Sequence, residues 1–373
     1  MSLRVRSYLT MFFLFFTTIV PAQAVESKNA DKYEEILFVA DARAGSVSVI
    51  DATSLETRCA INVMPDLEQR QSEWSFIHRA INWYGEYKYV DDLAISPDGK
   101  ILYVSRGSLA DVVAFDLTTE KILWRLPVGG FRSDHMAVSN DGAKLFVSVV
   151  TGSRVVVIDT VSRNIVGTIP TGSRPHGIKL TSDGKSVLIG QMKGNAITIA
   201  DGNDFTVKDT LTFDEGVRPF DVTNDGRILY VQLSNFHGFL EYDLVGKRLR
   251  KKVLLPETDR SRAYKGTYPK DVAHHGITLS NDESMLCVIG TTSNYVAILS
   301  RPALDEQAIV PVGEQPSWAT NSLDGKFCYV SSRGANTVSV ISYAEKKEIK
   351  RIKVGDYPQR MLTAKVPPGL CRH

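Results

Sequence analysis

The sequence predicts an all-β fold, a seven-bladed β-propeller closed by pairing of its N- and C-terminal strands. Three observations carry this: a hairpin phrase that recurs, a nearly fixed interval between its copies, and one copy divided between the ends of the chain. The phrase is "VDDLAISPDGKILYVS", Val90 to Ser105, two alternating apolar runs hinged on an Asp-Gly turn. It returns as "DHMAVSNDGAKLFVS", "HGIKLTSDGKSVLIG", "FDVTNDGRILYVQ", "HGITLSNDESMLCVI" and "WATNSLDGKFCYVS". The turn aspartates are Asp98, Asp141, Asp183, Asp225, Asp282 and Asp324, spaced by 43, 42, 42, 57 and 42 residues.

Each period has room for four short strands. In the second copy these are "HMAVS", "KLFVSVV", "RVVVIDT" and "NIVGTIPT", with no helical periodicity between them, which describes a propeller blade. A seventh unit, Ile36 to Val63, begins at its second strand. Its missing first strand matches "YPQRMLTAKV", Tyr357 to Val366. Pairing that segment beside Ile36 to Ala40 closes the ring and removes the open sheet edge. Cys59 and Cys371 would then share the closing blade, as either a disulfide or two free thiols, whereas Cys287 and Cys328 read as core residues of strands.

Residues 1–24 read as a signal peptide. Arg4 and Arg6 precede the apolar run "LTMFFLFFTTIV", and Ala22 and Ala24 give a small-residue cleavage pattern. Its removal takes away two basic and no acidic residues, leaving residues 25–373 as one domain with 42 charges of each sign. A neutral chain gives no reason to expect nucleic acid as a partner, and no later segment approaches a membrane-spanning length. The expectation is a secreted or periplasmic monomer.

The phrases "SPDGKILYVS" and "VSVIDATSLETRCAINV" resemble the YVTN-type repeat family, seven-bladed propellers similar to the bacterial YncE-like proteins. The resemblance spans nearly all of residues 25–373. It implies a fold more than a function, since such propellers include binding proteins, lyases, lactonases and quinoprotein subunits. It also implies that residues just before each innermost strand line the upper mouth of the central channel.

That rule selects Asp91 and Asp92, Asp134 and His135, His176, Phe220 and Asp221, His274 and His275, Ser317 and Trp318, and Gln359 and Arg360. Four of the chain's seven histidines fall in this set. "GFRSDH", "GSRPHG" and "GVRPFD" further place Arg132, Arg174 and Arg218 at matching positions, with Lys270 following and Arg43, Arg106, Lys193 and Arg333 in loops between second and third strands. Guanidinium groups suit a carboxylate or phosphate, so a small acidic ligand is the expected partner. The acid–base candidates are His135, His176, His275, Asp134 and Asp92. The ligand-binding candidates are Arg132, Arg174, Arg218, Asp221, His274, Trp318 and Arg360.

Two insertions, 64–89 and 256–273, enter at connections leading to an innermost strand. Leu67, Trp74, Ile77 and Ile81 suggest a short amphipathic helix in the first, and its aromatic residues suggest a packed lid. The absence of CxxCH excludes a covalently attached c-type haem, and no CxxC, GxSxG, HExxH or phosphate-loop motif occurs. Histidines on separate blades, with a carboxylate, would suit a divalent metal without leaving a spacing signature. Two readings follow. One is a lyase- or isomerase-type enzyme using histidine as acid and base, with Asp134 orienting it. The other is a non-catalytic propeller that binds a ligand or a protein.

Overall fold

The computed structural model describes residues 33–372. The segment read as a signal peptide lies outside them. No described helix is long and apolar enough to cross a membrane.

The recurring hairpin has a chemical cause. In all six complete repeats the turn aspartate accepts two hydrogen bonds, one from a hydroxyl two residues back and one from the amide two residues ahead. For Asp98 these come from Ser96 at 2.6 Å and Lys100 at 3.2 Å. Asp141, Asp183, Asp225, Asp282 and Asp324 repeat the pattern. The next residue takes a positive φ, between 68° and 73° at the glycines of five repeats and 56° at Glu283 in the sixth. Ser/Thr-x-Asp-Gly is therefore a self-capped turn, and it sets the register of the two strands it joins.

Seven four-stranded antiparallel sheets follow. Blade one is built from Pro358–Val366, Glu34–Asp41, Ser46–Asp51 and Glu56–Asn62, in that spatial order. The C-terminal strand pairs with the N-terminal one from Glu34↔Val366 to Asp41↔Pro358, so the ring closes by strand pairing. The innermost strands of blades two to seven are Asp92–Ile95, Ser133–Val138, Pro175–Leu180, Val217–Val222, Ile277–Leu279 and Pro316–Asn321.

The core lies between the blades. Alternation along a strand sends successive side chains to opposite neighbours: Leu102 and Val104 pack against blade one, and Tyr103 between them packs against blade three. Among the described residues there are seven apolar clusters, one at each blade interface. Cys287 and Cys328 are core residues, as their strands suggested. They also form a disulfide across the interface of blades six and seven, with Cα atoms 6.7 Å apart. Cys59 and Cys371 are bridged in the closing blade, Cα to Cα 5.9 Å.

The first insertion forms two helices, α1 (Leu67–Ser72) and α2 (Phe76–Gly85), in place of one. Ser75 breaks the pattern by capping α2, its hydroxyl accepting the His78 amide at 3.1 Å. The expected packed lid is only half present. Trp74 is buried and stacks on His78 and Tyr87, while Phe76, Ile77, Trp83 and Tyr84 are exposed by 57% or more. The second insertion carries α3 (Asp259–Ala263), capped by Thr258. Lys270 reaches across to Glu86 of the first insertion at 2.7 Å.

Removing the residues after Gly355 should abolish the closing strand and, with it, a single cooperative unfolding transition. An unchanged thermal transition by circular dichroism would contradict closure as the basis of stability.

Candidate functional site

The strand register defines two tiers of side chains around the channel. Leu93, Met136, Ile178, Phe220, Ile277, Ala319 and Met361 all pair with the same position of their neighbouring strand. Two residues before each lie Asp91, Asp134, His176, Arg218, His275, Ser317 and Gln359, the upper tier. One residue before each lie Asp92, His135, Gly177, Pro219, Gly276, Trp318 and Arg360, the lower tier. In blades three, four and five the pairing slips here, between Ser133 and Met136, Pro175 and Ile178, and Val217 and Phe220. Such bulges re-aim side chains, and these turn the upper tier toward the axis.

Above the upper tier lies a cavity of about 810 Å³. Its floor holds Asp91, Asp134, His176, Arg218, His275 and Gln359, and Phe76, Ile77 and Tyr84 of α2 stand at its rim. Seven cationic side chains line it (Lys88, Arg132, Arg174, Lys193, Arg218, Lys270 and Arg333) against three carboxylates, those of Glu86, Asp91 and Asp134. Their roles differ. Arg132 is a strut: it donates through Nε and Nη2 to the buried Asp91 at 3.2 and 3.0 Å. Arg218 ties the floor to the second insertion, donating to the Lys270 carbonyl and the Ser234 hydroxyl at 2.8 Å each. Arg174 is exposed, and its guanidinium makes no hydrogen bond or ion pair among the described residues. The Nε of Arg333 is buried without a hydrogen-bond partner. Burial pulls the Lys88 ammonium down to about 8; Arg132 and Arg333 add to that, while Asp91 opposes it.

On the floor, His176 Nδ1 lies 2.8 Å from Asp134 Oδ2, and His275 Nδ1 lies 2.9 Å from the Ser317 carbonyl. Their Nε2 atoms face one another at 3.4 Å. Burial lowers His176, with Asp134 opposing, and holds His275 and His135 well below the usual imidazole value. Burial alone would raise Asp134, but its contact with His176 and the charges of Arg132 and Arg360 outweigh it and keep the carboxyl low. The floor is thus an ionised carboxylate orienting neutral imidazoles.

Below it the lower tier plugs the channel. The Arg360 guanidinium lies 3.5 Å over the Trp318 ring and touches His135 Nδ1. Asp92 accepts the Met136 amide of the next blade at 2.8 Å, and burial raises its carboxyl to about 6 against the pull of Arg360.

Of the twelve acid–base and ligand-binding candidates, Asp134, His176, His275, Arg132, Arg174 and Arg218 line the cavity, and the other six do not. Asp92, His135, Trp318 and Arg360 belong to the plug beneath it. His274 is fully buried and packs on His237 and Tyr295. Asp221 lies outside the cavity, bonded to Lys179 and to the Leu279 amide as an inter-blade tie. Arg218 also does not match Arg132 and Arg174. It stands seven residues before its turn aspartate, where they stand nine, so it occupies the position of His176. Of the loop cations, Arg106 is fully buried between Asp66 and Asp111, and Arg43 pairs with Glu86. Lys88 was not singled out, because it sits inside an insertion with no repeat to mark it.

No family model matches the chain, and no curated protein matches it in sequence, so the YVTN-type likeness rests on the repeat phrases alone. Solved structures share the fold. A putative 6-phosphogluconolactonase from Bacteroides fragilis is 16% identical with a TM-score of 0.68, over 90% of this chain and 99% of that one. Kuenenia stuttgartiensis hydrazine synthase is 17% identical with a TM-score of 0.63, over 76% and 96%. The dihydro-heme d1 dehydrogenase NirN, in complex with DHE, is 12% identical with a TM-score of 0.60, over 85% and 63%. The chain therefore belongs to the propeller class, and these neighbours are enzymes or ligand-binding proteins of unlike chemistry.

The two kinds of arginine should separate by mutation. Arg132→Leu leaves Asp91 buried without its partner and should cost about 3 kcal/mol of stability. Arg174→Leu should leave the thermal transition within about 0.5 kcal/mol of wild type. Equal losses in denaturant unfolding would show that Arg174 is a strut as well.

Proposed function

We propose that the protein is an exported, monomeric propeller that binds a small, multiply charged anion, a carboxylate or phosphate ester, in its upper funnel. We further propose that it acts on that anion by acid–base chemistry of the lyase or isomerase type. The observation carrying this reading is the pairing of Arg174 and Arg333, cations with binding capacity to spare, with a floor of neutral imidazoles in one cavity. Bidentate guanidinium groups would hold the anion. Two groups there would carry protons: His176, a neutral ring oriented by Asp134, as acceptor, and Lys88, cationic below about pH 8, as donor. Proton removal beside a carboxylate needs such an acceptor next to fixed positive charge. The N-terminal signal-like run and the two disulfides support export to an oxidising compartment.

A scaffold reading is favoured by the exposed Trp83 and Tyr84 on α2. A partner protein docked there would be insensitive to Arg174→Leu, whereas a small anion would lose about tenfold or more in affinity, one charge-assisted hydrogen bond being worth about 1.5–3 kcal/mol.

Lys88 is cationic below pH 8 and neutral above it, so anion affinity should fall as pH rises through that value. Between pH 7 and 9.5 the loss should be about tenfold, and at pH 8 binding should be accompanied by proton uptake. Titration calorimetry of a dicarboxylate such as malonate, in buffers of different ionisation enthalpy, reads both effects. Lys88→Met should flatten the profile; a flat wild-type profile would remove Lys88 from the site.

A further inference from the structure

The two imidazoles on the floor are arranged around a position that neither can fill. A carbonyl oxygen only accepts, so His275 Nδ1, 2.9 Å from the Ser317 oxygen, carries the proton. His176 Nδ1 likewise donates to the Asp134 carboxylate at 2.8 Å. Each neutral ring then has a bare lone pair on Nε2, and the two Nε2 atoms face each other across 3.4 Å. Two acceptors at that distance repel unless an electrophile lies between them.

We propose that His176 Nε2 and His275 Nε2 bind a divalent transition-metal ion, with its remaining coordination positions open to the cavity and filled by an oxygen of the anionic ligand. Zn–N bonds of about 2.0–2.1 Å at a tetrahedral angle place two nitrogens about 3.3–3.4 Å apart. Both ligands already have the outer partners that metal-bound imidazoles require, a carboxylate for one and a backbone carbonyl for the other. Imidazole donors select a zinc- or copper-like ion over magnesium or calcium. Asp134, His135 and His176 also lie within reach of one ion, their donor atoms within 4.8 Å of one another. In that grouping His135 Nε2 is buried without a hydrogen-bond partner, 3.6 Å from Asp134 Oδ1, but the Asp134 carboxylate is already committed to His176 Nδ1.

The surrounding cations shape the affinity. Arg218 and Arg333 flank the pair and Arg360 lies beneath it, all repelling a bare ion, while Asp134 attracts it. Ion and anion should therefore bind cooperatively. The inference rests on the proposed function only for the anion. With the ion in place both imidazoles are ligands, and Lys88 is the group left to carry a proton.

Cobalt(II) titrated into the metal-free chain, with and without malonate, tests this by its visible d–d absorption. One Co²⁺ per chain is expected, bound at least about tenfold more tightly with malonate present. His176→Ala and His275→Ala should abolish stoichiometric uptake, and Asp134→Asn should weaken it about 10- to 100-fold. Val161→Ala, on an exposed turn outside the cavity lining, should retain it. Unaltered uptake in His275→Gln, or no uptake by wild type under either condition, would overturn the site. Malonate calorimetry on metal-free protein keeps the two proposals apart: failure there with cobalt uptake intact sinks the anion reading and leaves the metal site standing.

Discussion

Ring closure is the constraint on which the rest of the structure depends. A single blade has two apolar faces and cannot bury either alone; it needs a neighbour on each side. The first and last segments supply the final neighbour by forming one sheet, from Glu34↔Val366 to Asp41↔Pro358. This does more than remove an edge. It brings Gln359 and Arg360, some 270 residues from Asp91 and Asp92 in the chain, into the same two tiers, and so completes both the floor and its plug.

Symmetry then concentrates chemistry. Seven equivalent positions converge on one axis, and any charged residue placed there meets its counterparts at close range. The lower tier answers with mutual compensation: Arg360 stacks on Trp318 and lies near the Asp92 and Asp134 carboxylates. The upper tier and its surrounding loops do not balance. Cations outnumber carboxylates, and the buried imidazoles stay neutral because a further charge would be poorly solvated among them. Neutral imidazoles beneath a surplus of positive charge are the features on which the proposed anion site is built.

Hairpins, period and closure were legible in the sequence because each is written locally, in alternation and in the Ser/Thr-x-Asp-Gly turn. The site was legible only in part. "SRPHG" and "VRPFD" look alike, and matching them by letters aligns Arg218 with Arg174. Counting back from the turn aspartate shifts it by two residues and puts it on the floor, with Phe220 and Asp221 displaced in turn. The bulges that sort Asp134 above His135 leave no mark in residue type. Nor could alternation show that Cys287 and Cys328 share one interface, since it says only that each is inside. Lys88 comes from an insertion, where the repeat offers no register at all.

The central claim is that the funnel is an anion site built by converging blade positions. The most direct test is a crystal structure of the metal-free protein grown in selenate, phased to show anomalous selenium. The account predicts a selenium peak inside the cavity, within hydrogen-bond reach of Arg174 and Arg333. Selenium peaks confined to the outer surface, with none inside the funnel at saturating selenate, would contradict it.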